Sequence, residues 1–376
     1  MVKKSMVKKS MAKKSMVKKS MVKKSMVLLL IVAILSLTAC TVSDSAVQTK
    51  SNEEVHIFVD DCNREVSVPN EINSIVASGP LSQVVLVSLA PECFAGLASK
   101  FDSRGEGIIS DEMFKLPYFG QLYGKSDLNV EELAVVNPQL VIDIGESKNT
   151  IVEDMDTLET QTGIPSVHIE ATLKTLPDAY RRLGTLLGKE EKAEELAQSC
   201  ENIYSRTLSI MEKVGDNKVD ALYILGQDGM NVLAKDAFQA QIFDLLTNNV
   251  AVVDSPTSKG TGNEVTMEQI AQWNPEFILF APDSVYSTVA EDEVWKELDA
   301  VKSGNYVEAP IGPYNWMGTP ISVQSFLGMI WLPALLYPQY CDYDLKTQVK
   351  EYYKTFYEYE LTDEKYDLLT RNAFVK

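Results

Sequence analysis

Only two histidines, His56 and His168, occur in the 376 residues, so a bare zinc or manganese site assembled from several imidazoles is not expected. The five cysteines, Cys40, Cys62, Cys93, Cys200 and Cys341, stand too far apart for a thiolate metal cluster. The four beyond Cys40 allow three disulfide pairings that sequence does not rank. Signatures of hydrolases and nucleotide enzymes are missing as well. There is no Gly-x-Ser-x-Gly elbow, no P-loop and no His-Glu-x-x-His, and Gly105-Glu106-Gly107 lacks the third glycine of a dinucleotide fingerprint. Catalysis is therefore not the expected activity.

Two carboxylates are better placed. The stretch VEELAVVNP at 130–138 recurs loosely as MEQIAQWNP at 267–275, which sets Glu131 and Glu268 at the second position of two matching helices. Asn129 with Glu132, and Thr266 with Gln269, have the spacing of a capping box, in which cap and third helical residue satisfy each other's backbone N–H. Leu133 and Val136, like Ile270 and Trp273, supply an inward face at helical spacing. Asn137-Pro138 and Asn274-Pro275 stop the helices, because proline disfavours helical geometry in the residue before it. Apolar, β-prone runs follow at 140–144 and 277–281. One glutamate near a helix N-terminus merely favours the dipole. Two copies with the same cap, glutamate and stop predict two similar lobes.

The elements around these corners alternate. Runs at 55–60 and 65–69 read as an opening hairpin, followed by a strand at 75–77, a helix at 82–89, a strand at 94–98, a loop through 118–124, the first corner with its strand at 140–144, and a strand at 166–169. The pattern is helical over 177–214 with a break at Gly188, and the second piece, about 25 residues, would span about 38 Å. That is enough to bridge two lobes. Cys200 falls in its apolar stripe with Ala193, Leu196, Ala197, Ile203, Tyr204, Leu208 and Met211, so it reads as a core residue. Alternation restarts with a strand at 219–225, a turn at 226–229, a helix at 237–246, a loop at 255–263, strands at 277–281 and 306–309, a loop at 310–320 and an apolar helix at 323–336. Residues 340–376 are helical, acidic and rich in Tyr, suited to packing outside the second lobe. This order predicts an α/β architecture with mainly parallel sheets.

The N-terminus states where such a body would work. Residues 1–25 are five near-copies of MVKKS, followed by an apolar run at 27–37 and then Leu37-Thr38-Ala39-Cys40. A basic segment, a short apolar run and small residues describe an export signal, since the run is short for a bilayer span. Leu-Thr-Ala-Cys resembles the lipobox of bacterial lipoproteins, which implies that Cys40 becomes the lipidated first residue. The expected layout is a signal peptide at 1–39, a flexible tether at 40–54, an N-terminal α/β lobe at 55–173, a helical connector at 174–215 and a C-terminal lobe at 216–376. Loss of the ten lysines in 1–39 takes the formal charge from -18 to about -28. So acidic a body excludes nucleic acid as partner, because phosphate binding needs a basic face. Membrane contact is expected through the lipid alone.

Taken together, Asp60-Asp-Cys-Asn-Arg-Glu-Val-Ser-Val-Pro69, Ile75-Val-Ala-Ser-Gly-Pro80, the two glutamate corners and the lipobox resemble the substrate-binding lipoproteins of iron-siderophore, haem and cobalamin ABC importers. The similarity covers about 55–338. It implies two Rossmann-like lobes joined by one long interlobe helix, a ligand held in the cleft between them, and little hinge motion. It implies a monomer, extracytoplasmic and lipid-anchored to the bacterial cell membrane, that delivers a small metal chelate to an ABC permease dimer with its ATPase. It further implies that Glu131 and Glu268 dock into basic pockets of the two permease subunits, where charge-assisted pairs fix orientation as well as affinity. No resident cofactor or metal site is expected.

No ligand contact transfers by motif, so the cleft is read from position. Ligand residues should lie on loops leaving the carboxyl ends of strands. The candidates are 78–81 with Pro80, Tyr123 between glycines, Gln227 in its turn, Lys259, and the aromatic pair Tyr314 and Trp316. The pair offers a platform for a flat or macrocyclic ligand, or else pins its own loop. Tyr123 and Tyr314 are the candidates for haem iron, and Lys259 and Arg104 for an anionic ligand. His56 and His168 read as structural. Two other readings compete: a chelatase-like tetrapyrrole enzyme, which places two α/β lobes around a similar cleft, and a surface sensor or adhesin.

Overall fold

Runs of apolar residues without polar alternation fold into two sheets buried on both faces. The computed structural model describes residues 54–375, apart from 124–126, 258 and 319–321. The expected signal peptide, Cys40 and nearly all of the tether lie outside the described residues.

In the first half, β1 (Val55–Val59) and β2 (Glu65–Pro69) form the opening hairpin, antiparallel from Val55 opposite Pro69 to Val59 opposite Glu65. Next come β3 (Ile75–Ala77), α1 (Pro80–Leu89), β4 (Phe94–Gly96), the short α2 (Asp111–Phe114), α3 (Val130–Val136), β5 (Leu140–Gly145), α4 (Ile151–Thr162) and β6 (Ser166–Glu170). The sheet has the order β4-β3-β5-β6 and every pairing in it is parallel. The chain adds β4 on one side of β3 and returns to the other side for β5. Its direction therefore reverses between β3 and β5.

Two helices lead to the second half. α5 (Leu176–Leu187) ends at Gly188, whose φ of 64° is the left-handed conformation a helix C-terminus favours. α6 (Glu190–Val214) is the long helix, 25 residues. The two lie close because position 184 is glycine: a Cβ there would stand 2.4 Å from Cβ of Ala193. Cys200 is buried in the α6 stripe as expected, but Thr207 and Ile210 complete the stripe, whereas Leu208 is exposed.

The second half contains β7 (Asp220–Leu225), β8 (Asn231–Val232), α7 (Gln241–Leu246), β9 (Asn248–Asn249), β10 (Asn263–Glu264), α8 (Met267–Trp273), β11 (Phe277–Phe280), α9 (Asp299–Lys302), β12 (Tyr306–Glu308), α10 (Ser325–Leu336), α11 (Leu345–Tyr357) and α12 (Asp363–Leu369). Its sheet runs β10-β8-β7-β11-β12, with β9 also beside β7. β7, β11 and β12 are mutually parallel, while β8 and β10 are antiparallel additions. Here the direction reverses between β7 and β11.

One hydrophobic cluster joins the halves. It includes Val85 and Leu86 of α1, Tyr180 of α5, Leu196 and Cys200 of α6, Phe326 and Trp331 of α10, and Tyr352 and Phe356 of α11. α10 is apolar all round, as suits a helix surrounded by protein. The four cysteines in the described body, Cys62, Cys93, Cys200 and Cys341, are free thiols.

The repeated corners match closely. Asn129 accepts a hydrogen bond from the Glu132 backbone, and Thr266 with Gln269 completes the reciprocal capping box. Asn137 and Asn274 each adopt the left-handed conformation, with φ of 51° and 40°, so the asparagines end the helices in a geometry that asparagine tolerates and the following proline accepts. Leu133 and Ile270 face inward as expected. Val136 does not: it is 40% exposed, and Val135 beside it is 84% exposed. A helix of seven residues has room for one inward turn, which Leu133 fills.

Candidate functional site

In open parallel sheets a crevice forms outside the carboxyl ends of the strands where chain direction reverses. In the first half that point lies beyond β3 and β5, at residues 78–81 and 145–148. Beyond β7 and β11 the corresponding loops are 226–229 and 281–284. Between the halves lies a narrow cavity of about 20 Å³, lined by Leu81, Ala171, Thr172, Leu173 and Leu176 on one side and Phe238, Gln241 and Ser322 on the other. That is room for about one water molecule.

One flank of this crevice is closed by direct contact. Arg104 donates through Nε and Nη2 to Asp102 at 2.7 Å each, and through Nη1 and Nη2 to Asp283 of the other half at 3.0 and 2.6 Å. The two carboxylates push the guanidinium up from its ordinary value, Asp102 foremost. Gly105 packs so closely on Pro313 that a Cβ would stand 2.8 Å from the proline Cβ, and Lys365 donates to the Glu106 carbonyl at 3.2 Å. Phe101 meets Tyr314 with ring centroids 6.1 Å apart. Gln83 holds the loop from behind, accepting from Ala98 and Ser99 backbone N–H and donating to the Ser99 carbonyl. Arg104 is thus committed to joining the halves and is not a free cation awaiting an anion.

A second polar assembly lies at the reversal point of the first half. His168 is wholly buried; its Nδ1 is 2.7 Å from Asp143 Oδ2 and its Nε2 is 3.1 Å from Ser147 Oγ. Asp143 also accepts from the Ser78 hydroxyl, and Ser82 Oγ accepts from the Ile144 backbone at 2.8 Å. Asp143, His168 and Ser147 stand in the order of an acyl-transfer relay. However, the Ser147 hydroxyl donates to Glu170, so its proton is held by a carboxylate and the serine is not poised as a nucleophile. The assembly ties loops together.

Of the residues selected from sequence, Pro80 is half-buried at the start of α1, and Tyr123 is half-buried with the Lys148 ammonium over its ring and its hydroxyl donating to Asp154. Tyr314 sits between the halves, its hydroxyl 3.5 Å from Gln83 Nε2 and its carbonyl accepting from Gln324 at 3.3 Å. Burial pushes both phenols up, with Asp154 adding to the effect at Tyr123, so the phenolate that would ligate haem iron is disfavoured. Gln227 and Lys259 are exposed on loops of the second half.

Trp316 corrects the expected aromatic platform. It is fully buried, edge-on to Trp331 with centroids 6.4 Å apart, and donates from Nε1 to the Tyr353 hydroxyl at 3.2 Å. The largest apolar side chain of the loop gains most from burial, so it pins the loop and leaves Tyr314 at the crevice.

Glu131 and Glu268 are both exposed at the first turns of α3 and α8. The adjoining backbone N–H and the Thr266 hydroxyl hold the Glu268 carboxyl below the usual range. The residues sequence reasoning missed are Gln83, Asp283, Asp143, Ser147 and Lys148. They belong to no motif, and only the strand order brings them to one crevice.

A family model described as periplasmic binding protein matches residues 122–311. The molybdate-binding protein MolA of Haemophilus influenzae is 23% identical over 354 residues, covering 85% of this chain and 95% of that protein. The iron(3+)-hydroxamate-binding protein FhuD of Bacillus subtilis is 24% identical over 258 residues, covering 62% and 77%. The solved structure of an ABC transporter solute binding protein from Sulfurospirillum deleyianum superposes with a TM-score of 0.77 at 24% identity, covering 84% of this chain and 99% of that one. Its likeness is one of fold.

The contact between Arg104 and Asp283 yields a quantitative expectation. Their side chains are 35% and 68% exposed, so a double-mutant cycle with Arg104→Ala and Asp283→Ala, followed by urea unfolding, should give a coupling of about 1 kcal/mol or less. A coupling above about 2 kcal/mol would make this pair a principal lock between the halves.

Proposed function

This chain belongs to the periplasmic binding protein family, and from that premise we propose that it is an extracytoplasmic, lipid-anchored receptor that captures a metal already enclosed by its own ligands and passes it to an ABC permease. As a solute-binding protein it is not an enzyme, and proteins of this kind work with a permease and its ATPase on small ligands. The observation that carries the ligand reading is the donor set at the crevice. Among the described residues no group of three or more His, Cys, Asp and Glu is placed to hold a metal ion, while Tyr314 and Gln241 offer neutral hydrogen-bonding edges. Such edges suit the oxygen shell of a chelate or oxyanion better than a naked cation. The relatives named for iron(3+)-hydroxamate and for molybdate fit this, since both cargoes present oxygen outward.

The places of Glu131 and Glu268 support docking through them. Each carboxylate stands exposed on the same helix-to-strand corner, one in each half, as recognition by a two-fold permease would require. Cys40 would supply the anchor, with the tether between it and β1 giving the body reach.

Thermal unfolding of the detergent-solubilised chain with a ferric trihydroxamate, with molybdate and with bare ferric or nickel ions tests the ligand class. A chelate or oxyanion at a hundredfold excess over its Kd should raise Tm by about 4 °C; stabilisation by the bare ions alone would overturn it. Glu131→Ala/Glu268→Ala should abolish uptake in cells yet leave ligand-dependent stabilisation intact, and normal uptake by the double variant would remove the docking role. Cys40→Ala should move the protein from the membrane to the soluble fraction; retention in the membrane would refute the lipid anchor.

A further inference from the structure

The ligand crevice of the first half is bounded by two loops, 78–81 and 145–148, that belong to different strands and share no backbone ladder beyond β3 and β5. Something must hold them in register where the sheet ends. The side chains there form one continuous path: Ser82 Oγ to Ser78 Oγ at 3.1 Å, Ser78 to Asp143, Asp143 to His168 at 2.7 Å, His168 to Ser147 at 3.1 Å, and Ser147 to Glu170. It crosses from α1 through the end of β5 to β6 and back to the loop after β5. His168 is its centre, the one member that touches both Asp143 and Ser147.

We propose that His168 is a positioning residue for ligand binding: through Asp143 and Ser147 it holds the 78–81 and 145–148 loops in the arrangement the ligand meets, without touching the ligand itself. Two observations point to placement and not mere filling of the core. The ring is fully enclosed, with Nδ1 on Asp143 and Nε2 on Ser147 and 3.9 Å from Glu170, and Ser147 is an exposed residue on the loop, beside Lys148, which an ordinary core contact would not reach. Backbone bonds brace Ser78 on Ile142 and Ala171 on Gly145, and beyond Gly145, at φ of 151°, the side-chain path continues the bracing into the loop. Buried, fully satisfied networks of this kind rigidify what they connect.

Substitutions at 168 separate the two bonds. His168→Asn keeps an amide where Nδ1 stood, facing Asp143, but does not reach Ser147. His168→Gln extends an amide to the place of Nε2 and restores that contact. Ser147→Ala removes the same link from the loop side at an exposed position where folding is not at risk. Hydrogen exchange on the detergent-solubilised, ligand-free chain should be about tenfold faster over 146–149 in His168→Asn and Ser147→Ala, unchanged in β7, and near wild type in His168→Gln. Titration with a ferric trihydroxamate and with molybdate, which rests on the function proposed above, should show about tenfold weaker binding in His168→Asn and Ser147→Ala. The double variant should be no weaker than either alone, because both break one path. Unchanged exchange in Ser147→Ala, additive losses in the double variant, or failure of His168→Gln to restore exchange over 146–149 would overturn the proposal. If neither probe binds the wild-type protein, the ligand reading fails, while the exchange measurements still decide whether His168 positions the loops.

Discussion

The buried seam where α1, α5, α6, α10 and α11 meet is the constraint on which the rest of this structure depends. Val85, Leu86, Tyr180, Leu196, Cys200, Phe326, Trp331 and Tyr352 are nearly inaccessible to water and belong to one cluster that crosses from one sheet to the other. Truncating a single large member of such a cluster costs about 3–5 kcal/mol, a sizeable share of the net stability of most domains. Rotating one half away from the other would open the seam at many such contacts together. The halves are consequently held as one body, and what remains adjustable is the set of loops at the ends of the strands.

Those loops are braced in two ways. On one flank, Arg104, Gly105, Phe101 and Gln83 of the first half meet Asp283, Pro313 and Tyr314 of the second. At the reversal point of the first sheet, the path through Ser78, Asp143, His168 and Ser147 joins the ends of three neighbouring strands. Both assemblies are polar, because backbone leaving a sheet has unpaired groups and directional bonds specify position more sharply than apolar contact.

Much of the architecture was legible in the sequence. The break at Gly188 and the periodicity of 190–214 predicted the long helix, and the apolar runs at 140–144 and 219–225 predicted buried strands, since both features report on local backbone preference and one-sided or two-sided burial. The twin corners predicted two similar halves, and their caps and asparagine stops recur in the structure. The crevice was less legible. Trp316 shared its loop with Tyr314 and had the same chemical character, yet one is sealed beneath Trp331 and Tyr353 while the other stands between the halves. Val136 had inward spacing but lies at the last turn of a short helix, where the partner surface has already ended. Arg104 read as a free cation until Asp283, 179 positions away, was brought against it.

What the sequence determined by itself was the long helix, the main buried strands, the acidic composition and the paired glutamates at helix starts, because capping, periodicity and charge act within a few residues. Only the tertiary structure decided which loops share a crevice and which side chains there are already engaged. Strand order sets those neighbours, and strand order arises from how whole sheets and helices bury their apolar faces. No short stretch of sequence carries that information.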